Sequence, residues 1–383
     1  MNFVFWVGVA HAGTLISAML YITGTPWRRT IARCAETMTL FSLVLVSLFI
    51  FIHMGRPWNV YWTMPYPNQR TIWVNFMSPL MFDVFAISTY LTSSAIFLYF
   101  GMIPDLASLK HEATGWRKWL YSTLSLGWRG TDKQWHVQGR ATMYFASFIM
   151  PLVVSVHSIV SWDFALSMVP GFTKTIFAPY FVTGALLSGF AAVVMVTLTL
   201  RWRFPFVRKY ITEIHYDRIG TFILLLSLVW SYCTATEVLT GLYANTSLEL
   251  ESLRFKILTP PAMQLFALMI FSNSILPLAL ISRKVRKCAP VLFVICLFVF
   301  MGMWLERYLI IPNALSRKFL PWMWNIYSPS WVEISITAGA FAFFISMFMV
   351  SIKIFPVISV FEAKEDIGVP ERVGKLEDTG EEV

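Results

Sequence analysis

The sequence is poor in charge. Asp, Glu, Lys and Arg make up 13% of its 383 residues, against roughly 25% in an ordinary soluble domain. Cysteine is scarce as well: Cys34, Cys233, Cys288 and Cys296 show no CxxC or CxxCH spacing, so the pattern gives no sign of an iron–sulfur site, a structural zinc or covalent haem attachment. The six histidines form no HxxxH or ExxH pair, the helical spacing that would carry a metal. Basic residues outnumber acidic ones, 30 to 21, but they are dispersed over short connections and do not suggest nucleic acid as a partner.

Apolar residues fill the gap. They account for 57% of the chain, and the mean hydropathy is +0.64. Nine apolar runs, 3–23, 36–54, 79–101, 139–162, 176–200, 219–242, 259–282, 288–311 and 330–353, are each long enough to cross a hydrocarbon core of about 30 Å as a helix. The expected fold is an all-α polytopic membrane protein. Residues 1–355 form the transmembrane domain and 356–383 a polar cytoplasmic tail. The first run has no basic stretch or small-residue cleavage site before it and reads as a span rather than a signal peptide.

Lys and Arg concentrate in alternate connections. One set holds eighteen, including Arg28, Arg117, Lys118, Arg201 and Lys284; the other holds eight, including Arg56, Lys174, Lys256 and Arg307. In short loops this bias sets orientation, which predicts an N-terminus outside, in the periplasm, and a C-terminus in the cytoplasm. The basic side faces anionic lipid headgroups. On the outer side, residues 56–79 and 316–331 are dense in Trp, Tyr and Pro, fit both for an interfacial belt and for a platform that receives another protein.

Ionisable residues inside spans are costly and so are functional candidates. His11 lies about 12 Å into the first span. His53 ends the second, Asp83 opens the third, His157 and Asp163 lie near the outer end of the fourth, Glu237 near that of the sixth, and Glu306 and Arg307 at that of the eighth. All fall in the outer half. Glu36, near Arg33 at a helix start, reads as a cap or ion pair.

Two histidines, a carboxylate and an arginine at a lipid-accessible mouth suit a quinone. Its carbonyls need hydrogen-bond donors and its reduction needs two protons, which His and Asp deliver. Three other readings compete. His11, His53 and Asp83 could form a two-histidine, one-carboxylate metal set, and histidines from two spans could hold a b-type haem, although no pair matches in depth. A transporter or proton-conducting subunit would work through His157, Asp163 and Glu237.

Several longer strings carry a family resemblance. HAGTLISA (11–18), HMGRPWNVYWTMPYPNQ (53–69), NFMSPLMFDVFAISTY (75–90), GMIPDLA (101–107), VHSIVSWDFA (156–165), YCTATE (232–237) and WLERYLIIP (304–312) resemble the NrfD-like, or polysulfide-reductase-C-like, membrane subunits. The likeness is greatest to the large members of alternative complex III and of the menaquinone-reducing Qrc complex. The resemblance implies two four-helix bundles plus an extra helix, in a bacterial inner membrane. It also implies a subunit without haem, metal or flavin of its own that exchanges electrons between menaquinone or ubiquinone and a periplasmic ferredoxin-like iron–sulfur subunit. Molybdopterin-family and multihaem cytochrome c subunits are expected further out. It matches His11, His53, Asp83 and Arg307 to quinone-site positions, and His157, Ser158, Asp163 and Glu237 to a proton route.

Overall fold

The computed structural model describes residues 1–25, 27, 29–63, 79–316, 320, 322 and 324–359, with backbone alone at residues 12, 29, 53, 54, 62, 63, 79 and 80. In a bilayer every backbone amide must find its partner within the protein, and helices achieve this inside one segment. The described chain is helical accordingly. In order it forms α1 (Asn2–Ile22), α2 (Arg29–Met54), α3 (Pro79–Leu109), α4 (Trp116–Leu124), α5 (Asp132–Ala165), α6 (Phe177–Arg203), α7 (Glu213–Ala244), α8 (Ser247–Leu258), α9 (Ala262–Ile270), α10 (Arg283–Lys287), α11 (Ala289–Ile310), α12 (Pro312–Leu315) and α13 (Trp331–Ile354). Among the described residues nine segments are long and apolar enough to span a membrane, the number read from the sequence.

The helices outrun the apolar runs. α3 continues to Leu109, α5 begins at Asp132 and α7 begins at Glu213, because an apolar run marks the hydrocarbon layer while the backbone ladder persists beyond it. Thr131 caps α5 with a capping box to Gln134, and Ser330 caps α13 in the same way with Glu333. The seventh span is not one regular helix: α9 passes through a wide turn at Phe271–Ile275 into a tight turn at Leu276–Ile281.

Two rings of four helices result. α1, α2, α3 and α5 pack in sequence around one axis, and α6, α7, the α9 segment and α11 around another. α1 and α5 join the rings by packing on α6, whereas α13 lies outside against α2. Close approach depends on small residues. At Gly13 a Cβ would lie 2.1 Å from the Ala35 carbonyl oxygen, so only glycine lets α1 rest on α2 there. Trp6 of α1 packs on Phe341 and Phe344 of α13 at ring-centroid distances of 5.1 and 5.0 Å.

The basic end of the bundle is held by ion pairs. The Arg33 guanidinium donates to Asp105 at 3.0 Å and to the Gly101 carbonyl at 2.6 Å, so its ion-pair partner lies across on α3. Glu36 accepts a hydrogen bond from Ser17 on α1. Arg286 pairs with Asp217 at 2.7 Å. Ser359, the last described residue, is buried and reaches Asp105 at 3.5 Å. Residues 360–383, most of the expected tail, lie outside the described residues.

Candidate functional site

The ionisable residues singled out in the sequence all come from one end of the two rings, but they sort into different groups than expected. His11 and His157 are both fully buried, and their rings meet edge to face with centroids 4.6 Å apart. The sequence had set them in separate roles and found no depth match. The structure brings them together because α1 and α5 are neighbours in the first ring. Contact this close leaves no room for a porphyrin between the two rings.

Below His11 a polar knot fixes three helices. Tyr90 of α3 and Thr39 of α2 both donate to the Ala10 carbonyl of α1, at 2.9 and 2.7 Å. Thr14 reaches Tyr90 at 3.0 Å and Thr39 at 3.3 Å. Tyr90 also lies edge-on to the His11 ring, 5.2 Å between centroids. The imidazole cannot turn freely. Its Nδ1 sits 2.5 Å from the Val7 carbonyl oxygen, and a carbonyl only accepts, so Nδ1 carries the hydrogen. In the neutral ring Nε2 is then an acceptor. That Nε2 and both His157 nitrogens are buried without a well-formed hydrogen bond, although the Val153 backbone lies near His11 and the Phe181 backbone near His157.

Nearer the outer end, Asp83 of α3 and Asp163 of α5 face each other within hydrogen-bonding reach. Two carboxyls so placed repel when both are ionised, and one proton held between them relieves the repulsion. Neither Oδ1 has a hydrogen-bonding partner elsewhere. Asp83 is seven residues above Tyr90 and Asp163 six above His157, so the carboxyl pair stands roughly 10 Å along the helices from the histidine pair. Asp83, assigned above to the quinone, and Asp163, assigned to the proton route, are thus one unit.

Arg307 is enclosed where the two rings meet. Its guanidinium lies 4.1 Å above the Phe181 ring and 3.5 Å from Glu306 Oε2, and Glu306 Oε1 accepts from Trp230 Nε1 at 2.8 Å. At Gly184 of α6 a Cβ would come within 2.6 Å of Met303 Cε and 3.1 Å of Arg307 Nη2. Glycine there gives the arginine its space. Arg307 Nη1 and Glu306 Oε2 are the two atoms of that 3.5 Å ion pair, and beyond it neither has a hydrogen-bond partner.

Three other candidates stand apart. The His53 side chain lies outside the described residues, as does most of the aromatic stretch 56–79; Trp58 and Tyr61, which are described, are exposed. Ser158 donates to the Val154 carbonyl of its own helix at 2.8 Å. Glu237 is bound through both oxygens to Lys256 at 3.1 Å. With Lys174 and Glu249, themselves paired at 3.3 Å, it lines a cavity of about 30 Å³ under α8. Among the described residues no three His, Cys, Asp or Glu side chains converge as metal ligands.

Residues 1–317 match the family described as polysulphide reductase, NrfD. The chain belongs to the NrfD family. This NrfD-family chain is 26% identical over 200 residues to a putative dimethyl sulfoxide reductase membrane subunit of Halobacterium salinarum, a match covering 52% of this chain and 42% of that protein. It is 23% identical over 375 residues to a selenate reductase subunit of Mesobacillus selenatarsenatis, covering 93% and 84% respectively. The match thus takes in less than half the length of the first relative. Both relatives are named as subunits of reductases, in keeping with a membrane component of a redox complex.

Sequence reasoning missed Tyr90, Trp230 and Lys256. Tyr90 sits seven residues after Asp83, which puts both on one face of α3; that spacing was the available signal. Trp230 and Lys256 carry no such mark.

Proposed function

We propose that this NrfD-family chain binds a quinone, menaquinone or ubiquinone, and exchanges electrons between it and a peripheral redox subunit of the same complex. The observation that carries this reading is the set of buried polar atoms without a hydrogen bond at one end of the bundle: His11 Nε2, both His157 nitrogens, Asp83 Oδ1 and Asp163 Oδ1. Burying polar groups without partners costs about 1–3 kcal/mol each, and a ligand with two oxygens and an apolar tail fits such a group. A bound quinone supplies two-electron, two-proton chemistry.

The protein residues handle the protons. His11, with its Nδ1 hydrogen directed at Val7, offers Nε2 to a hydroxyl proton. His157 lies against it as the next acceptor. The Asp83–Asp163 pair, two carboxyls placed to hold one proton between them, passes protons between the histidines and the outer surface, and the Arg307 guanidinium supplies positive charge where negative charge develops on a ring oxygen.

The basic residues at the opposite end support an orientation with that end in the cytoplasm and the histidine end in the periplasm of a bacterial inner membrane. A ferredoxin-like iron–sulfur subunit would then dock near Trp58 and Tyr61, followed by molybdopterin or multihaem cytochrome subunits. Purified complex tests the reading: His11→Phe should lower quinol turnover at least tenfold with every subunit retained, and unchanged turnover would overturn it.

One observation favours a second reading, a proton-conducting role. The wide turn of the seventh span sets buried Ser272 and Asn273 in mid-membrane, where the Asn273 carbonyl accepts from Ser227 and Ser274 is bonded by Ser231 at 2.7 Å. Proteoliposomes with an internal pH dye separate the two readings: proton flux without any quinone favours conduction alone.

A further inference from the structure

At the end of the bundle opposite the histidines, α4 is a nine-residue helix, WRKWLYSTL, with no acidic residue and Tyr121 as its buried residue. Two hydrogen bonds fix its height. Tyr121 Oη donates to the carbonyl of Ile354, the last residue of α13, at 2.5 Å, and Tyr99 Oη of α3 donates to the Leu124 carbonyl at 2.8 Å. The helix therefore lies level with the end of an apolar span, at the boundary of the hydrocarbon layer. Trp116 and Trp119, three residues apart and on one side, are 59% and 70% exposed. Arg117 and Lys118 beside them are exposed as well, and the Arg117 guanidinium rests 5.7 Å over the Trp116 ring.

Two tryptophans presented outward at this depth, with two exposed cations on the same turn, match the boundary between acyl chains and headgroups, where indole rings are favoured. The surrounding charge is mostly positive. Residues 110–140 hold Lys110, Arg117, Lys118, Arg129, Lys133 and Arg140 against Glu112 and Asp132. From this charge complementarity and depth we infer that α4 is a binding site for an anionic phospholipid, with Arg117 and Lys118 holding the headgroup phosphate and Trp116 and Trp119 seated at the glycerol level. The site is separate from the proposed quinone site and does not rest on it.

The full-length protein, carrying the subunits it purifies with, is titrated with phosphatidylglycerol or phosphatidylcholine in detergent, and bound lipids are counted by native mass spectrometry. Arg117→Gln/Lys118→Gln should weaken phosphatidylglycerol retention by roughly tenfold or more. Arg283→Gln/Lys284→Gln, which removes two exposed cations from the same end, should leave it unchanged, and phosphatidylcholine should bind more weakly and respond to neither change. Excess inorganic phosphate should not displace the lipid. Equal retention by the α4 variant and the parent overturns the inference, as does equal loss in the Arg283/Lys284 variant or displacement by phosphate. A soluble protein lost from the α4 variant while lipid binding persists assigns the face to that protein instead.

Discussion

His11 and His157 touch ring to ring, 4.6 Å between centroids, although they come from the first and fourth spanning helices. Substitutions at contacting sites do not act independently. His11→Phe and His157→Phe should each reduce quinol turnover at least tenfold, and the double variant should be little worse than either single one. A double-mutant cycle on the purified complex checks this; additive losses would show that the two rings serve different steps.

Asp83 and Asp163 face each other between helices α3 and α5, placed so that two carboxyls can hold one proton between them. Asn at either position keeps a hydrogen bond but removes the exchangeable carboxyl proton. Asp83→Asn and Asp163→Asn should therefore produce similar losses of turnover and the same flattened pH–rate profile. A normal profile in one variant and a lost profile in the other would separate the pair.

Trp230 Nε1 is the hydrogen bond that holds Glu306 Oε1 beside Arg307. Trp230→Phe leaves that buried oxygen without its donor, at a cost of about 1–3 kcal/mol. A lowered melting temperature in detergent and weaker quinone-analogue binding should appear together. A stability loss with binding intact would assign Trp230 to packing alone.

All four cysteines lie within the described chain, and Cys288 alone among them is exposed, at the start of α11 on the basic end. A membrane-impermeant maleimide should label Cys288 in inverted membrane vesicles and leave it untouched in intact spheroplasts. The reverse pattern would invert the topology and set the histidine end in the cytoplasm.

The spans were legible because each is an apolar run, and the pooling of His11, Asp83, His157 and Arg307 at one end followed from counting residues along helices. Which of them meet was not legible. The Asp83–Asp163 pairing depends on the rotation of α3 against α5, which apolar helices do not record, since nearly every face is apolar. Arg33 illustrates the same limit. Glu36 is near in sequence, yet Asp105 lies one helix away beside the Gly101 carbonyl, and together they give the guanidinium two acceptors at close range. The break at Phe271–Ile275 was hidden because FSNSI adds three small polar residues to an otherwise apolar run, too few to end the span in a hydropathy reading.

The most direct measurement is the equilibrium binding of a hydroxyquinoline N-oxide quinol analogue, followed by its fluorescence, to the purified complex carrying His11→Phe. The account predicts at least a tenfold loss of affinity with melting temperature preserved and every subunit retained. Affinity equal to that of the unaltered complex would contradict it.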